Sequence, residues 1–160
     1  NIEEFRIPNL HLAIYLYDII NLLKKSQEEY RSTFEESLER LRKSCETKGF
    51  EQLYEFIASH ISGIRMFYTF NHPSKILSML TFKILMSKLG EKIPDNFFQD
   101  VKQYNFLEGH CSPITKKDIE IYNFSFFTKT FDDSILEQPD FKYKMSPEEL
   151  EIPEKYLKII

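Results

Sequence analysis

The sequence predicts a mainly α chain with a few short strands, and three stretches carry that expectation. Tyr30, Phe34, Leu38, Leu41 and Cys45 recur at steps of four, four, three and four, the spacing of one helix face. Glu35, Glu36, Glu39, Arg40, Arg42 and Lys43 largely fill the other. Residues 74–89 are apolar around most of a helical circumference and end at Gly90, so they form the central helix. Between those helices, residues 64–70 ("IRMFYTF") are β-branched and aromatic without helix caps, which reads as a short strand.

The other elements follow in order. In residues 10–26 the apolar positions crowd all round, as in a mostly buried helix, and Lys24 and Lys25 suit its C-terminal end. Gly49 closes the second helix as a C′ glycine. Phe50, Leu53, Tyr54, Ile57 and Ile61 mark a shorter amphipathic helix that stops at Ser62 and Gly63. Asn71-His72-Pro73-Ser74 reads as a turn, because the residue before proline is pushed out of helical geometry. Pro94-Asp95-Asn96 starts a short helix to about residue 104, a polar loop holds Gly109, His110 and Cys111, and residues 113–122 contain a helical turn or two. Residues 124–131 ("FSFFTKTF") form a strand or an irregular apolar arm, and residues 132–144 have weak periodicity. Ser146-Pro147-Glu148-Glu149 reads as N-cap, N1 proline and capping-box glutamate, with Pro153 restarting or kinking the last helix.

With 160 residues, 42% of them apolar and 29% charged, the chain has the composition of one globular domain or part of one. Twenty-one basic against 25 acidic residues give a net charge of −4, and no basic face stands out, which argues against phosphate-driven nucleic-acid binding. No tract approaches the ~18 uncharged apolar residues of a membrane span, since the richest run, residues 10–23, carries His11, Asp18 and Asn21. Cys45 and Cys111 are far apart and in no metal-like spacing, so no metal is expected, and free thiols in a reducing, cytoplasmic compartment are. The opening Asn1-Ile2-Glu3-Glu4 has neither an initiator Met nor a signal-peptide pattern.

Four glycines leave little material for a phosphate-cradling loop, and Gly-x-Ser-x-Gly and His-Glu-x-x-His are both missing from the sequence. His110 and Cys111 are chain neighbours in a loop, where adjacent side chains rarely reach one another. His60 suits a helix boundary and His11 a capping or core role. His72 differs, because it stands where a strand ends and a helix begins, an edge that exposes side chains and amides to a cleft. Asn71 can orient its ring for general-base work. The competing structural reading is a helix-entry turn capped by Asn71 or Ser74.

Residues 65–90, "RMFYTFNHPSKILSMLTFKILMSKLG", resemble the signature of the WcbI family of capsular-polysaccharide biosynthesis proteins, an aromatic-Thr-x-Asn-His-Pro run before a Leu-rich helix. Weaker similarity in "IPNLHL", "ESLERLR" and "SPITKKDIEIYNFSF" extends it over residues 5–130 and leaves 131–160 as an unmatched tail. The resemblance implies the C-terminal part of a larger α/β protein. It implies a transferase that moves an acyl group from coenzyme A to a sugar precursor in the cytoplasm. His72 and Asn71 would be catalytic, and Arg65 and Thr69 would bind the cofactor. Tyr68 and Thr69 are candidate oxyanion donors, of which strand alternation lets at most one face the site. The family's amino-terminal Gly-Asn-Cys-type motif has no counterpart here, so the nucleophile-bearing half is expected to be missing and these residues alone inactive. Lys75 and Thr115-Lys116-Lys117 also depart from the family pattern. The alternative from another class is a non-catalytic helical protein-interaction domain, its Asn-His-Pro turn structural and its exposed Tyr and Phe residues a partner surface.

Overall fold

A computed structural model of the chain describes residues 26–69, 72–94, 96–102, 111–137, 141 and 143–160. The expected helix over residues 10–26 lies almost wholly outside them, as do His11, Asn71, Gly109 and His110. Within them the chain is mainly helical with a few short strands. No helix among the described residues is long and apolar enough to cross a membrane.

Helix α1 (Gln27–Lys48) starts at Ser26, whose hydroxyl accepts from the Glu29 amide while the Glu29 carboxylate accepts from the Ser26 amide. It ends at Gly49, which takes the left-handed conformation (φ 67°) and donates to the Cys45 and Glu46 carbonyls. Tyr30, Leu41 and Cys45 are buried as their spacing requires, while Phe34 and Leu38 pack partly buried on the same core. On the outer face Arg42 joins Glu39 (2.7 Å) and Glu46, an exposed cluster that water screens and that contributes little to stability. Gly49 turns the chain back into α2 (Glu51–His60), which packs on α1 with Leu53, Phe56 and Ile57 inward.

Strands β1 (Phe67–Thr69) and β2 (His72–Pro73) form an antiparallel hairpin, and α3 (Lys75–Leu89) leaves directly from it. The sequence reads residues 71–74 as a turn, but His72 and Pro73 pair with β1. The same proline effect explains this, because an extended residue before Pro73 suits a strand as well as a turn. Helix α3 is apolar nearly all round, buries Ile76, Leu77, Met79, Leu80 and Ile84, and stops at Gly90 (φ 73°). Leu41, Leu53, Ile57, Met66, Leu77 and Ile114 are no more than 1% exposed and meet in one core beneath the hairpin.

The remainder is built of short pieces. Helix α4 (Phe97–Lys102) stacks Phe97 on Phe82 of α3. Strand β3 (Ile114–Thr115) pairs in parallel with β4 (Thr130–Phe131) and runs straight into α5 (Lys116–Tyr122), and a 3₁₀ turn covers Asp133–Glu137. Helix α6 (Pro147–Leu150) opens with the expected Ser146 cap, N1 proline and Glu149 box, and α7 (Glu154–Leu157) restarts after Pro153. Tyr156 closes this tail on the core, between Phe56 and His60 of α2, with its hydroxyl over Gly63. A Cβ on that glycine would meet the hydroxyl at 2.4 Å. His60 thus sits half-buried at a helix edge, as its position suggests.

Two expectations follow from this core. Leu77→Ala is expected to cost about 2–5 kcal/mol in urea denaturation, whereas Arg42→Ala should leave the urea midpoint nearly unchanged. Asp118 of α5 is 3% exposed and its Oδ2 accepts from the Thr115 amide (2.7 Å) and hydroxyl (2.8 Å). Burial pushes its carboxyl up to about 6 against those bonds, with the Asp133 charge adding to the rise. The folded chain therefore binds this proton more tightly than the unfolded one, whose carboxyl titrates near ~4. Stability from this group is full below about pH 4 and falls by roughly 2–3 kcal/mol as pH rises through 6. Asp118→Asn should flatten that part of a stability profile measured from pH 4 to 7.

Candidate functional site

The chain segment leading into the hairpin carries a buried cation. Arg65 is 5% exposed, and its guanidinium donates to the carbonyls of Phe67 (3.1 Å) and Ser112, to the Thr128 hydroxyl (3.2 Å) and to the Tyr143 hydroxyl (2.9 Å). Thr128 and Tyr143 in turn each donate 3.0 Å bonds to Oε1 of Glu149, which also accepts from the Lys129 amide (2.8 Å). The second carboxylate oxygen accepts from the Ser146 amide (2.9 Å). Burial alone would raise the Glu149 carboxyl, but these donors outweigh it and hold the group below the ordinary glutamate value. One carboxylate thus ties the 124–131 arm, Tyr143 and α6 together around one guanidinium.

Tyr68 and Thr69 diverge from β1 as strand alternation requires. The Tyr68 ring packs with Cys111, Met145 and Leu150, and its hydroxyl accepts from the Lys75 amide at the start of α3 (3.1 Å). Burial raises its phenol pKa, so it remains a neutral donor. On the other side, Thr69 Oγ1 lies 2.6 Å from Nδ1 of half-buried His72. Of the four expected site residues, the structure thus joins Thr69 to His72, separates Arg65 into its own network, and leaves Asn71 outside the described residues. Ser74 stands at the N-cap of α3 with the right backbone (ψ 164°), yet its side chain makes no capping bond.

Both cysteines are free and buried. Burial pushes each thiol up to about 11. For Cys111 the nearby Arg65 and a Tyr143 bond oppose that rise, and for Cys45 the Glu51 charge adds to it. Each is therefore a thiol rather than a thiolate at neutral pH. No group of three or more His, Cys, Asp or Glu side chains among the described residues is placed to hold a metal ion.

A cavity of about 500 Å³ opens between the base of the hairpin and the α6–α7 tail, lined by Arg65, Tyr68, Ser74, Phe126, Glu149 and Lys155 among others. Sequence reading finds Glu149 only as a capping residue, and it misses Thr128 and Tyr143 altogether. The capping box reveals where Glu149 sits in α6, but a bond to a residue 20 positions away has no local periodicity to betray it.

The Glu149 hub makes a direct prediction. Glu149→Ala strands several donors and should cost about 2–4 kcal/mol, with Glu149→Gln costing less because it keeps an acceptor. The lowered carboxyl stabilises the fold above the unfolded glutamate value and loses that contribution as pH falls through its folded value. Acid unfolding followed by circular dichroism should accordingly be shallower below about pH 4.5 in either variant.

The chain matches no family model, no curated protein and no solved structure.

Proposed function

We propose that this chain is the C-terminal part of a WcbI-like acyltransferase, moving an acyl group from coenzyme A to a sugar in cytoplasmic assembly of a capsular or surface polysaccharide. The observation that supports the reading most is the 2.6 Å contact between Thr69 Oγ1 and His72 Nδ1, inside the Asn-His-Pro block on which the resemblance rests. With Thr69 accepting from Nδ1–H, the lone pair sits on Nε2, where a general base needs it to take the proton of a sugar hydroxyl. Thr69 in this reading positions the ring rather than touching the cofactor. Asn71 keeps its proposed orienting role.

Acyl transfer also needs a donor to the developing oxyanion; Tyr68 leaves β1 on the face away from His72, so in this reading that donor comes from the upstream half. The buried thiols of Cys45 and Cys111 make poor nucleophiles, which fits a cysteine supplied from an upstream half. A second reading, a non-catalytic helical interaction domain, draws support from Arg65. Its guanidinium is bonded to four protein groups, as in a structural residue.

Calorimetry separates the two. Residues 1–160 alone are expected to bind coenzyme A weakly or not at all. Joined to an upstream segment bearing a Gly-Asn-Cys motif, they should bind it and transfer acyl groups, and His72→Gln should lower kcat by about 100-fold or more with little change in the cofactor Kd. Unchanged transfer by a folded His72→Gln protein removes the histidine from the mechanism. No transfer by the joined protein favours the interaction domain.

A further inference from the structure

Helix α3 begins without the cap that its N-cap residue offers. Ser74 has the extended backbone of an N-cap, but its side chain makes no capping bond, and among the described residues its hydroxyl is a buried side-chain oxygen without a partner. A serine in that position ordinarily satisfies one of the first free amides of the helix. Here a bond to the helix start comes from across the hairpin, where the Lys75 amide donates to the Tyr68 hydroxyl (3.1 Å).

Strand β2 is poorly equipped to hold its own place. It is two residues long, one of them a proline with no amide to donate, and its register against β1 shifts between Phe67 and Thr69. Just beyond it the Ser74 amide donates to the Met66 carbonyl (2.8 Å), and the Lys75 amide reaches Tyr68. Tyr68 is itself a fixed post. It is 7% exposed, its ring packs with Cys111, Met145 and Leu150, and its carbonyl accepts from the Ser112 amide (2.7 Å). The preceding carbonyl, of Phe67, accepts from Arg65 (3.1 Å), so β1 is tied to the buried guanidinium network. On the other face of β1, His72 Nδ1 meets Thr69 Oγ1 at 2.6 Å, a contact that a small displacement of β2 would break.

We propose that Tyr68 is a positioning residue for His72. Its phenol, acting from the opposite face of β1 through the Lys75 amide, holds β2 where Nδ1 stays on Thr69 and the imidazole keeps one tautomer. That this lock serves acyl transfer rests on the transfer reading above. The lock itself does not.

The readout is the pair of His72 ring-nitrogen resonances in the isotope-labelled chain, assigned by their loss in His72→Gln and followed at about pH 8.5, where an ordinary imidazole is neutral. The native chain should show one tautomer. Thr69→Val removes the direct partner of the ring, keeps the side-chain shape, and should bring the resonances to the mixture of a free imidazole, which marks the full range. Tyr68→Phe loses only the hydroxyl and should move them well into that range. Thr81→Ala is the control, since it deletes a buried hydroxyl bonded to the Leu77 carbonyl (2.8 Å) within the same helix. Both Tyr68→Phe and Thr81→Ala should lower the Tm by about 2–4 °C, the size of one hydrogen bond, but only the first should move the resonances. Native-like resonances in folded Tyr68→Phe or Thr69→Val overturn the proposal, as does an equal displacement in Thr81→Ala or a native ring divided between tautomers. In the protein joined to its upstream segment, Tyr68→Phe should lower kcat about 3–10-fold with KM unchanged, and Thr81→Ala should change neither. Absence of transfer by the joined protein sinks only the transfer reading, because the resonances report the lock without turnover. Intact transfer with native-like resonances in Tyr68→Phe sinks only the lock.

Discussion

A guanidinium cannot lose its charge, so wherever the chain buries Arg65 it must surround it with acceptors. That requirement organises much of the structure. The acceptors come from β1, from Ser112, from Thr128 and from Tyr143, which are scattered across more than half of the described sequence and have no secondary structure in common. Several are too irregular to be held by ladders of their own. Thr128 lies in an arm between α5 and β4, and Tyr143 belongs to an isolated bridge with Cys111. Glu149 completes the set by accepting from both Thr128 and Tyr143, so the negative charge reaches the cation through two hydroxyls. Buried ion networks of this kind add little net stability, but removing one member leaves the others desolvated and unpaired.

The short strand beside Arg65 divides the chemistry in two. Alternation along β1 sends Tyr68 towards Cys111, Met145 and the cavity, and Thr69 towards His72. The imidazole and the cavity base are thereby separated by a strand yet joined through a few residues of backbone, because Ser74 follows His72 by two positions and anchors its amide to the Met66 carbonyl (2.8 Å).

What was legible in the sequence follows from how far apart the interacting residues lie. Helices α1, α2 and α3 declare themselves through the spacing of Tyr30, Leu41 and Cys45, the apolar run of 74–89 and the glycines that end two of them, all signals within a few residues of one another. The Ser146-Pro147-Glu148-Glu149 cap was equally plain. The 124–131 arm was not, because its place is set by bonds to Arg65 and Glu149 rather than by its own pattern. For the candidate site, His72 stood out for its position at a strand-to-helix junction, and Thr69 as its partner needed coordinates, since a three-residue separation in an irregular hairpin does not fix a contact. Arg65 shows the same limit. A cation near a suspected cleft invites a ligand role, while its burial and its acceptors are invisible until the distant segments are in place.

The thiols set a further constraint on what this surface can do. A cysteine acts as nucleophile through its thiolate, which forms readily only beside a cation, a helix N-terminus or a basic partner with little desolvation to oppose it. Cys111 has Arg65 nearby, and burial still wins, pushing the thiol up to about 11. Cys45 faces the core from the C-terminal end of α1's apolar stripe, where the neighbouring Glu51 charge makes ionisation harder still. Neither side chain is exposed to a substrate. If the transfer chemistry proposed here uses a thiolate, a different cysteine must meet His72 at the outer edge of the hairpin. If it uses none, the histidine must activate the sugar hydroxyl directly, and the oxyanion donor must come from the His72 side of β1, because Tyr68 leaves the strand on the opposite face. Both routes place the acyl group on the Thr69–His72 side of one three-residue strand.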